Sequence, residues 1–272
     1  MSESRGWLAA AWRDPRGRAG LLVLGGIVLV ALAGPVFLAD PARQVDPVAA
    51  ANLPPGPGRW MGTDPLSRDV LSRVVAGARV SLAVAALAVA FSIALGATLG
   101  VLSGYFGGAV DGALAIPRLF LLLLVLAVAE RLALPVLIVF IGVTGWFATA
   151  RLVRGEVLRL RDEGFVRAAE ALGAARRRVI FRHLLPNTLG PLLVSATLGV
   201  GDVILLEAGL SFLGLGVQPP TPSWGGMILD AKPVLVEAPW VGVFPGLAIV
   251  ITVLAANLCG EALRDAADPR SA

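Results

Sequence analysis

Side chains that commonly carry out catalysis or bind metals are scarce in this sequence of 272 residues, which contains one histidine, His183, one cysteine, Cys259, and one lysine, Lys232. One histidine and one cysteine are too few for a zinc site of the usual ligand types. Lys232 follows an alanine, so the glycine–lysine pattern of a phosphate-binding loop is absent and ATP hydrolysis by that chemistry is excluded. An intramembrane hydrolase would need a nucleophile beside a base, whereas His183 lies in an arginine-rich stretch. We therefore predict no catalytic residue, metal site or cofactor in this chain.

The stretch 161–173 carries a different kind of candidate, a surface for a partner protein. Phe165, Ala168, Ala169 and Leu172 recur at helical spacing and share one face of a short helix. The paired alanines keep the backbone close to the surface, so that a groove of a partner could accept the helix. An amphipathic helix resting on a membrane surface fits the same periodicity. Periodicity alone leaves both interpretations open.

Two acidic residues, Asp202 and Glu207, interrupt a long apolar stretch. Being five residues apart, they point about 140° apart on a helix. Acidic side chains at membrane depth are costly and usually face a cavity or a partner helix. One interpretation is that these two residues line a translocation pathway. The alternative is that they form a structural hydrogen bond to another subunit.

The composition determines the class of fold that positions these residues. Hydrophobic residues make up 57% of the chain and charged residues 15%, against about 25% charged in ordinary soluble domains. The chain is therefore predicted to be an all-α, polytopic membrane protein. The net charge is +4, and the arginines that produce it lie beside apolar runs. This position favours control of membrane topology over nucleic-acid binding.

About six transmembrane helices are expected, since each needs about 20 mostly apolar residues. The predicted spans cover 20–39, about 80–104, a short third that begins near Gly112, 132–150, 188 to about 217, and 238–260. Gly96, Gly100 and Gly104 recur every four residues in the second span, which predicts close helix packing. Arg118 is expected near the inner end of the third span, with its side chain reaching the lipid headgroups.

The distribution of arginines predicts the orientation of these spans. Nine arginines lie between Arg151 and Arg182, which places this loop and both termini in the cytoplasm. The predicted organisation is a cytoplasmic N-terminus (1–19), a first helix (20–39), an extracytoplasmic segment (40–76), a core (77–260) with a cytoplasmic loop (151–187), and a cytoplasmic tail (261–272).

The cytoplasmic loop resembles the "EAA" loop of type-1 ABC importer permeases, in which Glu-Ala-Ala is followed by a glycine and then by Leu-Pro. The matching residues here are Arg167, Ala168, Ala169, Gly173, Leu185 and Pro186. Further segments resemble the "C"-type permease of the oligopeptide/dipeptide (peptide/nickel) branch. They are 62–64, 68–73, 77–82, 104–108, 183–187, 210–216, 222–225 and 263–265. The resemblance covers roughly residues 15 to 270.

This resemblance implies the type-1 transmembrane fold and a permease subunit in a bacterial inner membrane. The implied partners are a homologous second permease, two cytoplasmic ATPase subunits that bind ATP and Mg²⁺, an extracytoplasmic solute-binding protein and membrane lipid. The ATPases would dock on a coupling helix in the loop. The implied coupling residues are Phe165, Arg167, Ala168, Ala169, Glu170, Leu172, Gly173, Leu185 and Pro186.

The sequence departs from the family pattern at two places. Arg167 replaces the usual acidic residue, and Glu170, one turn later, is a candidate for the missing carboxylate. The region 111–135 is shorter than in relatives, so the boundaries of the third span are not defined by the resemblance.

The sequence leaves more than one cargo and more than one transport mechanism open. Short peptides rank first, and nickel complexes, opines or glutathione are alternative cargoes. A secondary transporter is the alternative mechanism, although such proteins usually contain internal repeats, and none is evident here.

Overall fold

The computed structural model describes residues 11–46, 48–107, 118, 120, 121, 124 and 133–267, and these residues form helices and connecting turns without a named strand. In chain order the helical elements are α1 (Pro15–Phe37), α2 (Val70–Phe106), α3 (Leu134–Arg161), α4 (Gly164–Ala171), α5 (Arg176–Val179), a π-helical turn (Ile180–Leu184), α6 (Leu185–Asn187), α7 (Leu189–Phe212), α8 (Trp224–Ala231), a 3-10 turn (Lys232–Val234) and α9 (Trp240–Ala267). Five of them, α1, α2, α3, α7 and α9, are long and apolar enough to cross a membrane. The all-α, polytopic fold is thereby confirmed. The predicted third span lies almost entirely outside the described residues, as do residues 1–10 and 268–272 of the predicted termini.

Several helices extend beyond the predicted spans. The Asp69 side chain accepts a hydrogen bond from the Ser72 N–H at 2.8 Å and caps α2, which is the usual role of Asp before a helix. Helix α2 therefore begins at Val70, and residues 70–76 of the segment predicted as external are helical. Helix α3 continues from the predicted boundary at 150 to Arg161, and α9 runs into the predicted tail.

Three glycines bring α2 into close contact with α3. A Cβ atom built on Gly96 would lie 2.5 Å from Cβ of Thr149, and one on Gly100 would lie 2.6 Å from the carbonyl oxygen of Ala150. A Cβ on Gly104 would likewise crowd α3. Because no side chain larger than hydrogen fits at these positions, the two helices pack backbone to backbone.

A separate apolar cluster joins the end of α3 to the elements that follow it. Val153 and Val157 of α3 pack with Val166 of α4, Val179 of α5 and Leu184 of the π-helical turn. All five side chains are buried. The cluster fixes α4 against the long helix α3, so the loop is a rigid extension of the helical bundle.

Pro186 does not end the helical path before α7, although a proline inside a helix usually breaks it. It occupies the first turn of α6, directly after the π-helical turn Ile180–Leu184. The wider π turn accommodates a local break in hydrogen bonding, and a proline in a first helical turn gives up an N–H that has no helical partner there.

A four-residue ionic network lies between the start of α2 and α8. Asp64, which has no exposed surface, accepts a 2.6 Å bond from Nε of Arg68 and a second from Nη1 of Arg73. Nη2 of Arg73 donates to Asp230 at 3.0 Å. The network ties the segment before α2 to α8 across 157 residues of sequence.

Candidate coupling surface and membrane cleft

Helix α4 and the turn after it form a knob, residues 164–173, that projects from the apolar cluster. Val166 points inward and is fully buried. Phe165 is half exposed, Ala168 is exposed, and Leu172 exposes 88% of its surface. Single exposed apolar residues are common, but here they share one face above a buried anchor. Such a face is suited to contact with a partner protein.

The other predicted coupling residues lie in and beside the knob. Ala169 is half buried, and Gly173 ends the helix at a φ of +78°, a conformation that favours glycine. Leu185 packs against the apolar cluster beneath the knob, whereas Pro186 lines a surface recess. Phe165 of the knob lies beside the π-helical turn that precedes Leu185 and Pro186, because its ring centroid is 6.2 Å from that of His183.

The two charged residues of the knob make different contacts. Nη2 of Arg167 donates to Asp162 at 2.9 Å, and both side chains are largely exposed. Glu170 accepts a 3.0 Å hydrogen bond from the Tyr105 hydroxyl at the end of α2. Glu170 therefore connects the knob to a transmembrane helix, a contact that sequence spacing does not reveal.

Glu207 is enclosed by three helices, with 1% of its surface exposed. It accepts hydrogen bonds from Ser211 at 2.7 Å and from Ser81 at 3.4 Å. Ser81 in turn accepts the backbone N–H of Trp224 at 3.2 Å. These contacts join α7, α2 and α8, which is an arrangement suited to structural stabilisation of the buried carboxyl group.

Asp202 instead lines a cleft of about 910 Å³ between α2, α3 and α7. Its side chain is exposed in this subunit. The structure does not bring Asp202 and Glu207 together, although both lie on α7. The cleft wall also contains small or polar residues, apolar residues and three further charged residues. Examples of the first two groups are Ser92, Gly145, Thr149, Ser195, Gly199, Val89, Leu152 and Leu198, and the charged residues are Glu156, Arg159 and Arg264.

Arg118 also lines this cleft, and its predicted contact with lipid headgroups was wrong. Nη2 donates to the carbonyl oxygen of Ile141 at 2.7 Å, and Nε donates to Thr144 at 3.4 Å. Ile141 lies seven residues into α3, about 10 Å from its first residue. The sequence carried one signal for this position, an arginine beside an apolar run, but did not reveal its depth.

A family model described as "Binding-protein-dependent transport system inner membrane component" matches residues 86–272. The matched region contains the knob, the cleft residues and both acidic residues of α7. It begins within α2, so the ionic residues Asp64, Arg68 and Arg73 precede it.

Relatives with assigned transport roles extend the similarity toward the N-terminus. The dipeptide transport system permease protein of Alkalihalophilus pseudofirmus is 38% identical over 265 residues, which cover 92% of this chain and 84% of the relative. The oligopeptide transport system permease protein of Bacillus subtilis is 38% identical over 259 residues, with the same two coverages. The glutathione transport system permease protein of Escherichia coli is 42% identical over 229 residues, covering 80% of this chain and 75% of the relative.

Proposed function

Because this chain belongs to the family of inner membrane components of binding-protein-dependent transport systems, we propose that it forms half of the translocation pathway of an ATP-driven peptide importer. A homologous second permease completes the pathway. Two ATPase subunits bind ATP and Mg²⁺ and drive the cycle, and an external binding protein delivers the peptide. The relatives named for dipeptides, oligopeptides and glutathione support short peptides as the cargo.

The proposal is supported mainly by the exposed apolar face of the knob. A half-exposed Phe165 and an exposed Leu172 lie on a helix that is anchored by the buried Val166. A rigid anchor lets a push on the exposed face reach α3, because both belong to one packed cluster. ATP-driven closure of the ATPases then biases the permease pair between two arrangements. This requires the knob and both termini to be cytoplasmic, in the inner membrane of a bacterium.

The proposal is tested by reconstitution of this chain with the second permease, the ATPases and the binding protein in proteoliposomes. We expect import of a mixture of di- and tripeptides that requires ATP and every subunit. Import by this chain without ATPases would support the secondary-transporter alternative and contradict the proposal.

The Tyr105–Glu170 hydrogen bond provides a second link between the knob and the membrane helices. Tyr105→Phe removes the donor and leaves the packing intact, at a net cost of about 1 kcal/mol. We expect fewer peptides imported per ATP hydrolysed, with unchanged assembly. Thr98→Val is the matched control: it removes another hydroxyl of α2, one that within the described residues bonds only to the Ala94 carbonyl of its own helix, and it should leave this ratio unchanged. Equal ratios of import to hydrolysis in Tyr105→Phe and the wild type would exclude this role.

Arg167 reverses the charge that the family pattern has before the paired alanines, and we propose that the ATPase groove offers it an acidic or neutral residue. Arg167→Glu is expected to lower ATP-driven import, because it would place like charges together at the interface. Asp162→Asn removes the internal partner of Arg167 without changing Arg167 itself, so it serves as the control. Higher import by Arg167→Glu than by the wild type would show that the groove is not matched to arginine.

A further inference from the structure

Five charged residues line the cleft: Arg118, Glu156, Arg159, Asp202 and Arg264. Of these, Arg118 and Asp202 lie within the predicted spans, and they carry opposite charges. Among residues 11–46, 48–107, 118, 120, 121, 124 and 133–267, no ion pair within 4.0 Å joins them. Charged side chains at membrane depth are costly and usually mark a functional site.

Arg118 is held in place but is not neutralised. Its two hydrogen bonds go to neutral acceptors, the carbonyl of Ile141 and the hydroxyl of Thr144. A guanidinium has five N–H donors, so these bonds orient the group and leave donors for an anionic ligand. Gly145 permits this position, because a Cβ built there would lie 3.1 Å from Nη2 of Arg118.

Asp202 offers the complementary charge. Within the described part of the chain, no hydrogen bond or ion pair to its carboxylate is found, and the side chain is exposed. The remaining wall combines glycines and small hydroxyl side chains with apolar residues such as Val89, Leu152 and Leu198. Within the predicted spans, recognition by charge in this cleft would therefore depend on Arg118 and Asp202.

We propose that Arg118 and Asp202 bind the two charged ends of a zwitterionic peptide, the terminal carboxylate at Arg118 and the terminal ammonium at Asp202. This inference rests on the proposed peptide importer and specifies how its pathway recognises the cargo. Each contact is a charge-assisted hydrogen bond, the stronger class of polar contact. Peptides with a blocked terminus lose one of the two contacts.

The test uses the assembled transporter of both permeases and ATPases, purified without the binding protein and without nucleotide. Equilibrium binding is measured for trialanine, N-acetyl-trialanine and trialanine amide. We expect the wild type to bind trialanine at least about tenfold more tightly than either blocked peptide. Asp202→Asn should lose the preference for a free amino terminus only. Arg118→Gln should lose the preference for a free carboxylate only.

Ser195→Ala is the matched control, since Ser195 lines the same cleft without a charge; it should retain both preferences. Equal affinities of the wild type for the three peptides, or equal weakening of all three by each charge variant, would overturn the proposed charge site. ATP-dependent import of di- and tripeptides is measured with the same preparation after reconstitution with the binding protein. Import without discrimination in binding refutes the charge site alone, whereas absence of ATP-dependent import refutes the importer.

Discussion

Leu172→Glu is expected to reduce ATP-driven import by at least about 30-fold, the effect of losing about 2 kcal/mol from a binding hot spot. Leu172 contributes little to the fold because 88% of its surface is exposed. Burying a carboxylate in an apolar groove is costly, so the loss should come from weaker attachment of the ATPases. Co-purification of the ATPases with the permease pair, together with peptide import in proteoliposomes, measures the effect.

Two controls separate docking from general damage. Leu172→Met conserves apolar volume and should leave both measurements near wild type. Val236→Glu alters an apolar residue that is 96% exposed on the opposite, predicted external side, so ATPase co-purification should be unchanged. Wild-type co-purification by Leu172→Glu would mean that the knob is not the docking surface.

Asp64→Asn is expected to cause a large loss of stability. Asp64 accepts bonds from two arginine side chains and from the backbone N–H groups of Leu66 and Arg68. The asparagine leaves Arg68 and Arg73 with one shared carboxylate, Asp230. Removal of one partner from a buried ionic network costs about 3–5 kcal/mol, so the thermal midpoint of the detergent-solubilised complex should fall by about 10 °C.

Asp230→Asn provides the comparison, because it removes the carboxylate that is partly exposed, with 33% of its side-chain surface accessible. Solvent screens that site, so its loss should be the smaller of the two. Thermal midpoints of the two variants that are equal, or ordered the other way, would contradict a stabilising role concentrated at Asp64.

Features that depend on regular spacing along one helix could be predicted from the sequence. Long apolar runs predicted the membrane-spanning helices, and the spacing of Gly96, Gly100 and Gly104 predicted a surface for close packing. The face shared by Phe165 and Leu172 follows from helical periodicity in the same way. Each of these inferences needs only neighbours along one helix.

Contacts between segments that lie far apart in the sequence could not be predicted from it. The segment 68–73 entered the sequence analysis only as part of the family resemblance, because nothing in a single sequence pairs Arg73 with Asp230. For Glu207, the sequence left a pathway and a structural hydrogen bond as alternatives, and its partners Ser211 and Ser81 lie on two different helices, α7 and α2. Arg118 was placed at a helix end, since the apolar run beside it was too short to define its depth.

Docking of the knob on an ATPase can be tested directly, because the chain has a single cysteine. Cys259 is buried, so Cys259→Ser combined with Leu172→Cys leaves one exposed thiol on the knob. In the reconstituted complex, with a second cysteine in the ATPase groove, a short bifunctional crosslinker is expected to join this chain to the ATPase in high yield. Val236→Cys in the same background should give no such product. A complex that co-purifies and hydrolyses ATP, yet forms no crosslink from position 172 to any tested groove position, would show that the knob does not dock on the ATPase.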